Sequence, residues 1–375
     1  MTSIEETPMR YKIALSLIKG MGAKGTRYFI NHIEDLEEAL THPQQLHGVL
    51  PRLSENIYQQ LCSSALLMEA DRILEVCERE QVTPYFFLDD GYPDLLYQCP
   101  DAPTILYVRG ALQSWEHLRG LSIVGTRNAT SYGRGIVTSL ISELAQRIPS
   151  LLITSGLAYG IDIQAHRSAL ECGLPTIAVL AHGLDTIYPA AHRREAQQML
   201  EQGAWVSEYA PGVKARPSSF LARNRIIAGL TEATIVIEAG SRSGSLSTAR
   251  LALEYNREVF AVPGRIGDTM SLGCHQLIEE SRAHLLYGID ELVSELGWGV
   301  EARPVDGRAT ASITRQGAPS YSHPILRLLD EQGTMTLDEL ARALTMTVAA
   351  MSDQLFELEL EGLIEAQPGG SYRIA

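Results

Sequence analysis

LSIVGTRNATSYGRG (residues 121–135) is an apolar run that breaks at Gly125 and turns at once into Thr126 and Arg127. The run reads as a fully buried strand. In "GIVTSLISELAQRI" (135–148), which follows, apolar residues recur at three and four, as one face of a helix requires. A strand that ends on a glycine and an arginine just before a helix offers an anion both backbone amides and a guanidinium. Nucleotide, dinucleotide and polynucleotide are the candidate anions.

Working outward, the same alternation continues from Leu121 to about Gly297. Strands are predicted at "LSIV" (121–124), "LLIT" (151–154), "TIAVLA" (176–181), "WVSE" (205–208), "TIVIE" (234–238), "VFAV" (259–262) and "HLLY" (284–287), with helical patterns such as "DIQAHRSALEC" and "LSTARLALEYN" between them. Strands joined by helical crossovers run parallel, so the fold class is α/β, a doubly wound, mostly parallel sheet with helices on both faces. Ligands of such sheets sit outside the carboxyl ends of the strands. "GTRNATSYG", "SGLAYGID", "HGLDTIYP", "EYAPGVKARPSSF" and "EAGSRSGS" each follow a strand directly and are therefore expected on one edge.

The flanks differ. Residues 1–83 show helical periodicity and read as a helical domain, sterile-alpha-motif-like or helix-hairpin-helix-like, with "GMGAKG" (20–25) as a helix–helix turn. An extended lead-in, "YPDLLYQCPDAPTILYVRG", opens the Rossmann-like domain of residues 84–297. Residues 298–322, rich in Gly, Pro, Ala and Ser, read as a linker. Residues 323–375, three helices and a two-stranded wing around "PGG", read as a winged-helix domain. Its middle carries Asp353, Glu357, Glu359 and Glu361 where a major-groove reader needs Arg or Lys, which favours a protein-contact or packing role.

With 375 residues and 45% apolar content the chain has enough material for several packed domains. No stretch has the length and apolarity of a membrane span, and the N-terminus lacks the features of a signal peptide, so a cytoplasmic protein with no membrane partner is expected. Five cysteines without a C-x-x-C pair suggest buried free thiols. The net charge of −14 masks an uneven distribution: residues 121–270 carry 14 basic and 12 acidic side chains, and residues 209–231 carry four basic and no acidic ones. A polyanion responds to that local field, because charges beyond roughly 8 Å are screened at physiological salt.

Several sites are excluded by what they require. The turn after residue 124 lacks G-x-G-x-x-G, no acid ends "LLITSG", and no G-x-x-x-x-G-K-[ST] occurs; NAD and a Walker-type nucleotide are unsupported and no cofactor is expected. His166 near Asp162 and His182 near Asp185 lack a third ligand, so these read as hydrogen-bonded polar residues. Ser155 lacks a nucleophile's surroundings and reads as a phosphate-binding hydroxyl. What remains is a rim of donors without a catalytic base: Gly125, Thr126 and Arg127; Ser131, Tyr132 and Gly133 at a helix start; Ser155 and Gly156; Ser241, Arg242, Ser243 and Gly244. Lys214, Arg216, Arg223, Asn224 and Arg225 extend the track, and Phe220, in the acid-free loop, is placed to stack on an unpaired base. So many cradles on one edge suit a strand of DNA or RNA.

"IVGTRNATSYG", "SGLAYGID", "AHGLDTIYP", "SEYAPG", "RNRIIAGL", "RSGSLSTA" and "VFAVPG", in this order, resemble the bacterial DNA-processing protein A (DprA, also called Smf) family, most strongly over residues 84–297. The resemblance implies an extended Rossmann-like fold, a homodimer, and binding of single-stranded DNA without sequence preference. It further implies protection of incoming strands during natural transformation and help in loading the recombinase RecA onto DNA covered by single-strand-binding protein. Arg127 becomes the principal phosphate contact and Phe220 a base-stacking residue. The chain departs from the family after "YP", where Ala190, Ala191 and His192 replace the usual lysine and asparagine and Arg193 or Arg194 stands in for the charge. "RPSSFLA" also differs from the commoner "HFP" type. The runner-up reading is a nucleotide N-glycosidase-like Rossmann hydrolase of phosphoribohydrolase type, whose P-G-G-x-G-T-x-x-E motif runs parallel to "EAGSRSGSLST". Thr248 stands where that reaction needs its glutamate. A third reading is a double-strand regulator acting through the tail.

Overall fold

The computed structural model describes residues 6–46, 53–112, 114–298, 323–332, 335–344, 346–360, 363–367 and 371–374. The chain divides into two compact units, Met1–Glu301 and Ala302–Ala375. In the first, one sheet is built from β1 (Thr83–Phe86), β2 (Ile105–Gly110), β3 (Arg119–Val124), β4 (Leu151–Ser155), β5 (Thr176–Val179), β6 (Ala204–Ser207), β7 (Ala233–Val236), β8 (Glu258–Ala261) and β9 (His284–Leu285). Their order is β1-β2-β6-β5-β4-β3-β7-β8-β9.

Strands β3 to β9 are mutually parallel, and β1 and β2 add an antiparallel margin next to β6. The seven predicted strands are all present. β1 and β2 are additional, drawn from the stretch read as the end of the helical head and an extended lead-in. The chain winds from β3 outward through β4, β5 and β6, then returns to pair β7 with the other side of β3. That reversal between β3 and β7 is the topological switch point, where the loops leaving adjacent strands diverge and open a crevice.

Side chains alternate across the sheet and feed two cores. Leu121 and Ile123 of β3 and Ile235 of β7 face helices Ser131–Arg147 and Ile161–Glu171, with Val137, Leu144 and Ala165 buried against them. Val124, Val236 and Ala261 face the other way, toward Ile226 and Ile227 of helix Pro217–Gly229 and Ala249 and Ala252 of helix Ser245–Glu254. This second core is continuous with the helical head, whose Ile13, Leu15, Phe29 and Leu36 are almost fully buried. Full burial on both faces is why these strands read as unbroken apolar runs.

In the head, helix Gly22–Ile30 starts inside the Gly-rich turn. Gln60 grips the preceding residue from both sides, accepting from the Lys19 amide at 2.8 Å and donating to its carbonyl at 3.1 Å. The Lys19 amide, just before the turn, is therefore taken within the head. Trp298, assigned to the linker by sequence, belongs to the core: it is 1% exposed and donates its indole N–H to Glu232 at 2.7 Å. The rest of the expected linker, 299–322, lies outside the described residues. Three of the cysteines are buried, Cys77, Cys99 and Cys274, whereas Cys62 is exposed.

The second unit is a winged helix. Helices Pro324–Gln332, Leu337–Ala343 and Val348–Leu360 pack Ile325, Leu329, Leu340, Met351 and Leu355 together beside a sheet of β10 (Met335–Thr336), β12 (Ser371–Ile374) and β11 (Ile364–Gln367). Thr336 and Glu339 close a reciprocal capping box at the second helix. Asp353, Glu357 and Glu359 fall on helix Val348–Leu360; Glu361 and the "PGG" turn lie outside the described residues.

Gly160 has φ +79 and ψ −120, and a Cβ there would lie 2.2 Å from the Thr126 carbonyl oxygen. Gly160→Ala is expected to cost on the order of 3 kcal/mol in urea unfolding, because both the backbone region and the space are closed to a side chain. His166, fully buried and bonded through Nδ1 to Thr176, is pushed down to about 3 by burial. Its unfolded form takes up a proton below about 6.5 while the native form does not. Stability is therefore expected to fall as pH drops from about 6.5 toward 3, and the His166 ring is expected to show no NMR titration between about pH 5 and 8.

Candidate nucleic-acid interface

The crevice at the switch point is held by Glu238, two residues beyond β7. Its main-chain carbonyl accepts the Thr126 amide at 2.7 Å, and its carboxylate accepts the Thr130 amide at 2.9 Å and the Thr130 hydroxyl at 2.5 Å. Thr130 in turn caps helix Ser131–Arg147 by accepting the Gly133 amide at 3.1 Å. Glu238 is 0% exposed, so the anion at this helix start is one of the chain's own side chains. Of the predicted Ser131, Tyr132 and Gly133 cradle, the Gly133 amide is thus taken within the chain. Ser131 and Tyr132 are exposed, Gly133 is buried, and none of them lines the crevice.

Pinned in this way, the turn Gly125–Thr126–Arg127 forms one wall of a 640 Å³ cavity. The turn Gly240–Ser245 forms the opposite wall, and the first two turns of helix Pro217–Gly229 form a third. Ten of the predicted site residues meet here: Gly125, Thr126, Arg127, Phe220, Arg223, Asn224, Ser241, Arg242, Ser243 and Gly244. At the mouth, the exposed Arg127 guanidinium stands 5.8 Å from the centre of the Phe220 ring, a cation–π pair. The Phe220 ring is 5.7 Å from that of Tyr188, which is 57% exposed. Asn224 donates to the Gly244 carbonyl at 3.5 Å and ties the helix to the serine turn.

Burial assigns other predicted residues to different work. Ser155 is 0% exposed and donates its hydroxyl to the Ile123 carbonyl at 2.6 Å; it stitches β4 to β3 and is closed to a phosphate. Gly156 is also buried, and a Cβ there would lie 2.0 Å from Arg223 Nη1, so its smallness makes room for that guanidinium. Arg223 is 4% exposed and donates to the Val179 carbonyl at 2.6 Å, which makes it an inner wall of the cavity. Arg225 pairs with Glu208 at 2.8 Å and with Asp101 at 3.7 Å, and its charge is largely spent within the fold.

The expected acid-free loop is in part a helix: Pro217, at its first position, starts it, and Phe220 lies in its first turn. Lys214 and Arg216 are exposed but do not line the cavity. Arg193 and Arg194, the suggested stand-ins after "YP", are exposed at the start of helix Arg193–Met199. Arg194 lines a separate surface pocket with Arg167 and Glu195.

Sequence reasoning missed Asp162, which lines the cavity in the first turn of helix Ile161–Glu171. Burial raises its pKa, opposed by the Arg223 charge and by backbone N–H groups of Ala158 and Gly156. Burial also pushes Arg223 down to about 10, opposed by Asp162. Spacing to His166 marks it only as a hydrogen-bonded polar residue, whereas the useful signal is an acid and an arginine both falling on buried helix faces. Ser245, Thr248, Leu221, Met270 and Leu272 are also among the lining residues. Among the described residues no group of three or more His, Cys, Asp or Glu is arranged to hold a metal, and no helix is long and apolar enough to cross a membrane.

Comparison with known proteins agrees with this architecture. Residues 83–297 match the family described as DNA recombination-mediator protein A, and residues 313–370 match the DprA winged helix domain. Protein Smf of Synechocystis is 32% identical, with 97% of this chain and 98% of that protein covered. The X-ray structure of DNA processing protein A from Streptococcus pneumoniae superposes with a TM-score of 0.60 at 34% identity, covering 76% of this chain and 97% of that one. DNA processing protein A from Helicobacter pylori, whose structure is described in terms of its single-stranded DNA binding mode, gives a TM-score of 0.52 at 31% identity over 58% of this chain and 96% of that one. On the matched domains, the shared fold and the identity along nearly its whole length, the chain belongs to the DNA recombination-mediator protein A family.

Proposed function

We propose that the carboxyl edge of the sheet binds single-stranded DNA without sequence preference and without catalysing a reaction on it. The observation that carries the reading is the pairing of Arg127 with Phe220 at the mouth of the cavity. A guanidinium takes a backbone phosphate through charge-assisted hydrogen bonds, and a neighbouring aromatic face takes an unpaired base, which a duplex keeps stacked inside. Arg242 and the amides of Ser241, Arg242 and Gly244 serve a neighbouring phosphate, and exposed Lys214 and Arg216 add to the field farther along. Binding by the Helicobacter pylori relative supports the reading.

On this reading the protein works in the cytoplasm as a homodimer. It shields incoming strands in natural transformation and helps load RecA onto DNA that carries single-strand-binding protein. The head of residues 1–83, the Rossmann-like domain of 84–297 and the winged helix of 323–375 act as its parts, joined by the 298–322 linker. The absence of basic residues from helix Val348–Leu360 supports a protein-contact role for the winged helix over duplex reading.

In fluorescence titrations with labelled oligo-dT, Arg127→Ala is expected to weaken binding by about 1–3 kcal/mol and to reduce the dependence on salt. Phe220→Ala is expected to cost about 1–3 kcal/mol with an unchanged salt slope, since stacking releases no counterions. Wild-type affinity in both variants, or tighter binding of a duplex than of oligo-dT at matched salt, would reject the reading.

A further inference from the structure

A strand lying along the rim uses Arg127 and Arg242 but leaves the inner wall of the cavity unexplained. Arg223 lines that wall, is 4% exposed, and has an Nε with no hydrogen-bond partner. Buried polar atoms are hydrogen-bonded in roughly nine cases out of ten, and a buried guanidinium is a costly group to leave short of an acceptor. Beside it stand Ser245 and Thr248, 7% and 1% exposed, on helix Ser245–Glu254, whose N-terminus opens on the same cavity. The cavity has the size of small-ligand sites, which run from about 300 to 1,000 Å³.

Charge narrows the ligand further. Three arginines, Arg127, Arg223 and Arg242, line the space against one carboxylate, Asp162. An internal phosphodiester brings one negative charge and is tethered on both sides, which keeps it at the rim. A phosphomonoester approaches two negative charges at neutral pH and is tethered on one side at most, so it can descend to Arg223. The apolar Phe220 and Leu221 across the mouth leave a surface for one base.

We propose that the inner cavity binds a single nucleotide by its phosphomonoester, with Arg223 and the serine turn on the phosphate and Phe220 and Leu221 against the base. The nucleotide is either free or the phosphorylated end of a DNA strand. The strand-end form rests on the single-strand reading above; the free form stands without it.

The full chain is titrated calorimetrically with thymidine 5′-monophosphate and with thymidine, and by fluorescence with oligo-dT bearing a 5′-phosphate, a 3′-phosphate or hydroxyls at both ends. The monophosphate is expected to bind about tenfold tighter than thymidine, and an end-phosphorylated oligonucleotide about threefold tighter than its hydroxyl-ended counterpart. Binding of the monophosphate alone identifies the free nucleotide as the ligand, and an end-phosphate effect alone identifies the strand end. Arg223→Gln is expected to abolish the phosphate preference. Since that change also removes the bond to Val179, Arg242→Gln at an exposed position is the second variant, with monophosphate affinity lowered about fivefold. Equal binding of the monophosphate and thymidine together with no end-phosphate effect overturns the inference, and binding of hydroxyl-ended oligo-dT in the same series then leaves the strand reading intact. If hydroxyl-ended oligo-dT fails to bind while the monophosphate binds, the strand reading falls and the cavity assignment stands.

Discussion

A buried carboxylate with nowhere else to go organises the binding edge. Glu238 is sealed from solvent, and an ionised carboxylate in that position is tolerated only with strong donors around it. It finds them in the amide and hydroxyl of Thr130, beside the start of helix Ser131–Arg147, while its own carbonyl holds the Thr126 amide. One residue in the loop just beyond β7 thereby fixes both ends of the turn that follows β3. Arg127 lies between those two fixed points and, with Asn128, is exposed. Cutting these bonds would free the wall of the cavity that carries Arg127, the proposed phosphate contact.

The same arrangement explains how a chain of net charge −14 presents an anion site. The edge does not depend on a broad positive surface. Arg223 is inside the wall, balanced in part by Asp162, and Arg225 is matched by Glu208 and Asp101. The cations the cavity offers, Arg127, Arg223 and Arg242, are few and line one space. An aromatic and apolar flank of Tyr188, Phe220 and Leu221 completes the edge, so the site combines a short electrostatic grip with a surface for bases.

Much of this was legible in the sequence because parallel strands buried on both faces write themselves as apolar runs, and their loops must then share an edge. β1 and β2 escaped notice because they enter as an antiparallel margin without the strand–helix alternation that marked the others. The candidate site was legible as a set of loops and less so as individual side chains. Ser155, Gly156, Arg223 and Arg225 have the right chemistry in the right loops, yet burial turns them inward, and burial is set by packing between segments far apart in the chain. Phe220 was placed in a loop, although Pro217 three residues earlier is a helix-start signal. Asp162 was read through its spacing to His166, and only the folded chain brings it against Arg223.

On the proposed reading an unpaired strand lies across the mouth of the cavity with a base against the aromatic flank. Photo-cross-linking of the full chain to oligo-dT carrying a single 5-iodo-deoxyuridine, followed by peptide sequencing, tests it most directly. Adducts on Tyr188 and Phe220 are the result it requires. Adducts confined to residues 323–374, or to the opposite edge around Trp115 and His117, would contradict it.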